Sequence, residues 1–154
     1  KFFLLIDGIT DPRNLGACLR SANAAGVDAV LLPKRRIAPL SSTVMRVAQG
    51  GCEELTMVET GNIARTLKWL REKGVWIIGA DATGRSIWES NVDNRSLALV
   101  IGDEGKGLRR LTKELCDEMV GIPMFGTVES LNVSVATGVL LFELRRKTTH
   151  TASS

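Results

Sequence analysis

The chain has 154 residues, which suits one domain with a buried core. Hydrophobic residues make up 44% of it and charged residues 24%, as in ordinary globular proteins, which disfavours a disordered chain. Because no apolar run reaches the length of a membrane span and no signal peptide opens the sequence, we expect neither a membrane protein nor a secreted one. The net charge of +3 permits nucleic-acid binding without requiring it.

The N-terminal part of the chain alternates strand and helix patterns. Phe2–Asp7 is an apolar run of strand length. A helix is predicted over Leu15–Ala25, with Asn14 as its N-cap and Gly26 as its C-terminal stop. Ala29–Leu32 is the next apolar run and predicts a second strand.

The middle of the chain continues the alternation. Ser42–Ala48 predicts a short helix and Leu55–Val58 a strand. Asn62 is the predicted N-cap of a helix that runs to Lys73, because apolar residues recur on one helical face before Gly74.

The C-terminal part repeats the same order of elements. Val75–Ile78 predicts a strand, and the uninterrupted apolar run Leu97–Ile101 is typical of a central parallel strand that is covered on both faces. A short helix is predicted over Thr112–Cys116, a strand over Met119–Ile122 and the last helix over Asn132–Lys147.

Six strands joined mostly by helices predict an α/β domain with a mostly parallel sheet and helices on both faces. Ligands of such sheets bind beyond the carboxyl ends of the strands. Three loops of unusual composition leave those ends, at Gly79–Arg85, Gly102–Gly107 and Pro123–Asn132, and we expect them to form one pocket. We expect the domain to end at Lys147 and the tail Thr148–Ser154 to be flexible.

The start of the last helix, Ser130–Gly138, is the most unusual stretch. Valine, serine and threonine form helices less readily than alanine or leucine, so a helix start built from them is costly. We therefore expect another part of the molecule or a ligand to pack against its backbone.

Several kinds of chemistry are disfavoured by the residue content. The single histidine, His150, lies in the tail, which argues against serine–histidine hydrolysis. The three cysteines, Cys18, Cys52 and Cys116, match no zinc spacing and are odd in number, so we expect no metal site and favour a reducing, cytoplasmic setting. Methyl transfer suits such a chain, because a cofactor supplies the reactive group.

Three segments contain candidate functional groups. Gly79–Ser86 nearly matches a phosphate-binding loop but has Arg85 where that motif needs lysine, so nucleotide binding is a weak hypothesis. Gly102–Gly107 has three glycines, which indicate close backbone approach, and Glu104 lies among them. Arg20 lies among small residues on the first helix, where it could clamp a phosphate.

Three motifs occur in order along the chain: Asn14-Leu-Gly-Ala-Cys-Leu-Arg20, Leu99-Val-Ile-Gly102-Asp-Glu104-Gly-Lys-Gly107, and Ile122-Pro-Met124 followed by Ser130-Leu131-Asn132-Val133-Ser134. They resemble the motifs of SpoU-type RNA ribose methyltransferases of the SPOUT superfamily, and the resemblance covers essentially the whole chain. It is strongest to members that methylate a guanosine ribose in 23S rRNA. Those members typically have a small N-terminal RNA-binding domain, which we expect to be absent from this chain.

The resemblance implies an enzyme that transfers a methyl group from S-adenosylmethionine to a ribose 2′-hydroxyl. It also implies a homodimer and a C-terminal trefoil knot around the cofactor. The implied cofactor-binding residues are Gly79, Ala80, Gly102, Gly107, Ile122, Met124 and Leu131. The implied catalytic residues are Asn14, Arg20, Glu104, Ser130 and Asn132. The candidate RNA-binding residues are Arg13, Arg20, Lys34, Arg35, Arg109 and Arg110.

The role of Arg20 needs separate argument. The family's first-motif arginine has been proposed as the base, but a guanidinium stays protonated in proteins. We therefore expect Arg20 to bind substrate phosphate, with Glu104 or a phosphate-bound path taking the proton. Two residues depart from the family pattern, Asp103 before Glu104 and Glu129 before Ser130. Glu129 is expected either to disfavour RNA phosphate or to pair with Arg109 or Arg110.

Two further functions stay open beside a 23S rRNA guanosine methyltransferase. The substrate could instead be a tRNA ribose. Alternatively, the chain could be a catalytically silent RNA-binding protein of the same fold, although its motif residues argue against that.

Overall fold

The computed structural model describes residues 1–33, 55–103 and 105–153. Some sequence-based predictions lie outside these residues: the Ser42–Ala48 helix, Cys52, Lys34, Arg35 and Glu104.

The described residues form a six-stranded sheet, as predicted. Its strands are β1 (Phe2–Ile6), β2 (Ala29–Pro33), β3 (Met57–Thr60), β4 (Trp76–Ser86), β5 (Leu97–Ile101) and β6 (Glu118–Gly121). All pairings are parallel and the strand order is β3-β2-β1-β5-β4-β6. The two central strands, β1 and β5, pair over their whole length from Phe2–Leu97 to Ile6–Ile101.

Helices cover both faces of the sheet, which confirms the predicted layering. They are α1 (Pro12–Ala24), α2 (Ile63–Glu72), α3 (Arg110–Glu114) and α4 (Val133–Ser153), with a 3₁₀ turn at Ile87–Glu89. Side chains alternate along a strand, so Leu4 of β1 packs with the α1 and α4 core while Leu5 packs with the α2 core. None of the described helices is long and apolar enough to cross a bilayer.

The first helix begins earlier than the sequence predicts. Its N-cap is Asp11, whose Oδ1 accepts a 2.8 Å hydrogen bond from the backbone N–H of Arg13, and Pro12 occupies the first helical position. Proline suits that position because its missing N–H is not needed there. The prediction of Asn14 as N-cap is therefore wrong, and its side chain is available for a contact outside the helix.

The strand β4 continues through the segment predicted as a loop from Gly79. Gly79 and Ala80 pair with β6 in a regular ladder, and both Ala80 and Arg85 pair with Val120, so only the residues between them bulge out. A Cβ at Gly84 would lie 2.9 Å from the backbone of Met119, so a glycine is required where the strand rejoins β6. The phosphate-binding-loop hypothesis is therefore wrong, because strand pairing with β6 continues where that motif needs a loop.

Several other boundaries also differ from the prediction. The third strand is Met57–Thr60 instead of Leu55–Val58, and the short helix is Arg110–Glu114 instead of Thr112–Cys116. The last helix continues past Lys147 to Ser153. These differences are shifts of element ends, which local sequence patterns define poorly.

Candidate active site

A cavity of about 290 Å³ lies beyond the carboxyl ends of β5 and β6, beside the bulge of β4 and the first turns of α4. The predicted loops at Gly102–Gly107 and Pro123–Asn132 both contribute to its walls. Of the residues proposed to bind a cofactor, those lining it are Ala80, Gly102, Gly107, Ile122, Met124 and Leu131.

Gly79 is not part of the cavity lining. A Cβ at Gly79 would lie 2.6 Å from Sδ of Met119 and 2.8 Å from Sγ of Cys116. Glycine at this position therefore allows close packing of the two sulfur-containing side chains, and the residue makes no contact with the cavity. Burial raises the pKa of the Cys116 thiol to about 12, with the nearby Asp117 carboxylate adding to the rise, so this thiol stays protonated at neutral pH.

The glycine-rich loop is shaped by its own backbone and by Asp103. The N–H of Asp103 donates to the carbonyl of Gly107 at 3.1 Å, and the N–H of Gly107 donates back at 2.9 Å. Oδ1 of Asp103 accepts from the backbone N–H groups of Lys106 at 3.0 Å and Gly105 at 2.7 Å. These two hydrogen bonds hold the pKa of Asp103 below its usual range, and the bond from Lys106 has the larger effect.

Asp103 is thus a turn-forming residue, a role that the sequence analysis missed. The signal was present as an aspartate two residues before a glycine, a common composition for a turn in which the side chain bonds the backbone ahead. Within the same loop, a Cβ at Gly102 would collide with the carbonyl of Gly107. Gly102 is therefore the residue that allows the loop to close.

The helix start Ser130–Gly138 has two close neighbours, which explains its residue choice. On one side Ala136 and Thr137 line the cavity. On the other, Gly138 faces Ser21 of α1, whose Oγ would lie 3.4 Å from a Cβ at that position. Small and β-branched residues allow α4 to approach both neighbours, at some cost in helix propensity.

Asn132 joins this helix start to the first motif. Its Oδ1 caps α4 by accepting from the N–H of Ser134 at 2.9 Å and from that residue's hydroxyl at 2.6 Å. Its Nδ2 donates to Oδ1 of Asn14 at 3.2 Å. Two of the predicted catalytic residues therefore meet directly, and Ser130 lies in the adjoining cavity wall.

The predicted arginines of α1 lie outside the cavity. Arg13 and Arg20 are both exposed, and they are two helical turns apart, so they project from the same face of α1. They form a basic stripe along this face of α1.

Arg109 has a structural role that the sequence analysis did not anticipate. Its guanidinium lies 3.2 Å from Oδ2 of Asp7, whose side chain is 1% exposed. The Thr112 hydroxyl donates to the same carboxylate oxygen at 3.3 Å. This network joins the end of β1 to the segment after the glycine-rich loop.

Arg110 makes an exposed pair with Glu114 at 3.2 Å, four residues further along α3. Among the described residues, neither Arg109 nor Arg110 contacts Glu129. Glu129 instead lines the cavity. Of the two alternatives for Glu129, pairing with one of these arginines is wrong, and an unfavourable effect on RNA phosphate stays a prediction.

Asp81 supplies a third carboxylate at the cavity, beside those of Asp103 and Glu129. Its Oδ1 accepts from the backbone N–H of Thr83 at 3.0 Å, and Oδ2 lies 3.2 Å from Nζ of Lys113. The Thr83 hydrogen bond, opposed in part by burial and aided by Lys113, lowers the pKa of this carboxyl. The described residues contain no group of three or more potential metal ligands.

Comparison with protein families gives a match over residues 1–142 to the model of the SpoU rRNA Methylase family. A curated relative from Escherichia coli K12, the 23S rRNA (guanosine-2′-O-)-methyltransferase RlmB, is 53% identical over 147 residues. That alignment covers 95% of this chain and 60% of the relative. The Vibrio cholerae protein of the same name is 54% identical over 145 residues, covering 94% of this chain and 58% of the relative.

Solved structures give the same relationship at lower identity. The SpoU methyltransferase AviRb from Streptomyces viridochromogenes, solved in complex with AdoMet, superposes with a TM-score of 0.87 at 26% identity. The superposition covers 96% of this chain and 60% of AviRb. The chain thus spans about three fifths of the length of these relatives.

Proposed function

We propose that this chain, which belongs to the SpoU rRNA methylase family, transfers a methyl group from S-adenosylmethionine to the 2′-hydroxyl of a guanosine ribose in 23S rRNA. The observation that carries the proposal is the meeting of the three motif segments at one cavity. Gly102 of the second motif and Leu131 of the third line the cavity. The hydrogen bond between Asn132 and Asn14 brings the first motif to the same place. The names of the curated relatives support the rRNA and guanosine parts of the proposal.

The cavity suits the adenosyl part of the cofactor in size and in lining. Its volume of about 290 Å³ lies near the lower end of the roughly 300–1,000 Å³ usual for small-molecule sites. Ile101, Ile122 and Leu140 offer apolar walls for a purine ring. Gly102 and Gly107 line the cavity without side chains, which allows a ligand to approach the backbone closely there. The AdoMet complex of a relative with the same fold supports this assignment.

Bound S-adenosylmethionine would supply an electrophilic methyl group on a positively charged sulfur. The chain's own residues would bind and orient the ribose. Asn14 and Asn132 present amide donors and acceptors at one point beside the cavity, so we assign them the orientation of the ribose hydroxyls. Ser130 adds a hydroxyl in the cavity wall. Glu104 is the proposed acceptor of the proton that leaves the 2′-hydroxyl.

RNA phosphates would bind along α1. Arg13 and Arg20 share one exposed face of this helix, and a guanidinium matches the geometry of a phosphate through two parallel hydrogen bonds. Arg20 would hold the phosphate next to the target ribose and stabilise the charge that develops on its oxygen.

We extend the proposal to assembly and cellular setting. A homodimer is supported by exposed apolar side chains near the cavity, at Val128, Leu131 and Val135. The trefoil knot is supported by the fold shared with solved SpoU methyltransferases. An rRNA substrate would place the protein in the cytoplasm.

Calorimetric titration with S-adenosylmethionine and, separately, with ATP tests the cofactor assignment. We expect micromolar binding of S-adenosylmethionine and none of ATP. The matched control is Leu131→Trp, whose larger side chain would fill the cavity and prevent binding. Unchanged binding by a folded Leu131→Trp variant would show that the cofactor lies elsewhere.

Methyl transfer is tested with labelled S-adenosylmethionine and transcribed 23S rRNA, followed by digestion and mass spectrometry of the nucleosides. Label in 2′-O-methylguanosine is the expected product. If label is found only in a parallel reaction with tRNA, the substrate is a tRNA ribose. RNA binding without any transfer, despite cofactor binding, would support the catalytically silent alternative.

A further inference from the structure

Glu129 differs from the other carboxylates of the cavity. Asp81 is held by Thr83 and Lys113, and Asp103 accepts two backbone N–H groups of its own loop. Glu129 lines the same cavity from an exposed position, and it makes no hydrogen bond or ion pair with any other residue that the structure describes. A carboxylate at a cavity wall with its acceptor sites open is suited to binding hydrogen-bond donors of a ligand.

Phe125 lies on the same connection between β6 and α4, four residues before Glu129. Its side chain is 90% exposed, although the preceding residue, Met124, lines the cavity. An aromatic ring with both faces open to solvent offers a platform for stacking. Proteins that bind single-stranded RNA stack unpaired bases on such rings.

We propose that Glu129 recognises the guanine base of the target nucleotide and that Phe125 stacks on it. This inference rests on the proposed function. Guanine alone among the RNA bases presents two adjacent donors, N1–H and the N2 amino group, on its Watson–Crick edge. A carboxylate accepts both at once, whereas adenine, cytosine and uracil each place an acceptor against one of its oxygens.

The spacing along the chain agrees with this assignment. Glu129 lies three residues before Asn132, so their backbones are at most about 11 Å apart. The Watson–Crick edge of a guanosine lies several ångströms from its own 2′-oxygen. One nucleotide can therefore place its ribose at the Asn14–Asn132 pair while its base edge faces Glu129.

The negative charge of Glu129 also favours guanine over the other bases. A carboxylate near the RNA backbone is repelled by phosphates, and this repulsion is offset only when the base supplies donors. Substrates with another base at the target position would leave the charge unpaired. Glu129 therefore discriminates against the wrong bases as well as binding the right one.

The test is a two-by-two comparison of the wild-type chain and Glu129→Gln on a synthetic RNA that carries guanosine or inosine at the mapped target position. Inosine lacks the N2 amino group. For the wild type we expect kcat/KM to be about tenfold to a hundredfold higher with guanosine, the effect of one hydrogen bond to a charged group. In Glu129→Gln the ratio should fall to within about threefold, with unchanged affinity for S-adenosylmethionine.

Asp81→Asn is the matched control, because it also neutralises a carboxylate of the cavity. Its guanosine-to-inosine ratio should equal that of the wild type. An unchanged ratio in Glu129→Gln would overturn the base-recognition role. A loss of cofactor affinity in Glu129→Gln would instead assign the carboxylate to the cofactor and also overturn the proposal.

The stacking role of Phe125 predicts a different pattern. Phe125→Ala should lower kcat/KM for guanosine and inosine RNA equally, by about fivefold to a hundredfold, because stacking does not depend on the amino group. Conversion of a dimer to a monomer in sedimentation would assign Phe125 to the subunit interface and overturn its role here.

If the wild type methylates no RNA, the proposed function itself fails. If it methylates guanosine with an unchanged ratio in Glu129→Gln, only this inference fails.

Discussion

Asn132 donates a hydrogen bond of 3.2 Å to Asn14, across 118 residues of sequence. The same side chain caps α4 through its other atom, Oδ1, which accepts from the backbone of Ser134. One residue therefore both begins the last helix and joins it to the first one. Its structural and proposed catalytic roles depend on different atoms, so substitutions can separate them.

Asn132→Ser should keep the cap and lose the contact with Asn14, because serine is a good N-cap residue but too short to span the gap. We expect the free energy of unfolding to change by less than about 0.5 kcal/mol and methyl transfer to fall about tenfold or more. Thermal unfolding and transfer assays check this. Asn62→Ser, at the cap of α2, is the control and should retain both properties. Full turnover in Asn132→Ser would contradict the orienting role.

Arg20→Ala should lose most methyl transfer while retaining the fold and the affinity for S-adenosylmethionine. The side chain is exposed on α1 and does not line the cavity, and loss of charge stabilisation at a reacting oxygen typically costs about 10²–10³-fold in rate. Arg65→Ala on α2 removes another exposed arginine and should have little effect. Wild-type turnover in Arg20→Ala would rule out the proposed role.

Gly102→Ala should weaken S-adenosylmethionine binding by about tenfold or more, which corresponds to about 1.4 kcal/mol. The added Cβ would collide with the carbonyl of Gly107 and open the loop at the cavity wall. Gly105→Ala is the control, because its Cβ would meet only Oδ1 of Asp103, at 3.6 Å. Calorimetry on both variants checks the difference. Equal affinities would show that the closed loop is not needed for binding.

Arg109→Ala should lower the free energy of unfolding by about 1–3 kcal/mol, because it leaves the buried Asp7 carboxylate without its charged partner. Arg110→Ala breaks only an exposed pair and should cost less than about 0.5 kcal/mol. Denaturant unfolding of the two variants separates these roles. If Arg109 served only as a phosphate contact, the two variants would be equally stable.

Acid should weaken the glycine-rich loop through Asp103. The folded-state pKa of this carboxyl is held below its unfolded value by the N–H groups of Lys106 and Gly105. The carboxylate therefore stabilises the fold fully above the unfolded aspartate pKa of about 3.9, and this contribution is lost as the pH falls through the lower folded pKa. Asp103→Asn keeps an acceptor without the charge. The stability difference between wild type and Asp103→Asn should shrink as the pH falls through this acid range, and a constant difference would contradict the argument.

The parallel sheet was predictable from the sequence because its central strands are buried on both faces. Leu97–Ile101 is apolar at every position, and the structure has a strand with the same bounds. The α2 helix was predictable for a similar reason, since its cap at Asn62 and its apolar face agree. Such elements are specified by residues close together in sequence.

Predictions failed where a distant strand or a competing local signal decides the structure. The glycines of Gly79–Gly84 indicate a loop by composition, yet β6 provides a partner strand that the local pattern does not contain. Asn14 is a good cap residue by type, but the Asp11–Pro12 pair begins the helix earlier. In both cases the sequence permits two conformations, and tertiary pairing or a nearby stronger signal selects one.

The sequence by itself therefore determined the α/β class, most of the elements and the three motif segments. Only the tertiary structure decided how side chains from those segments are used. Asn14 and Asn132 meet because α1 and α4 pack on the same face of the sheet. Arg109 is held by Asp7 because β1 and β5 are neighbours, so the segments that follow them lie side by side. Contacts between residues far apart in sequence depend on strand order and helix packing, which no local pattern specifies.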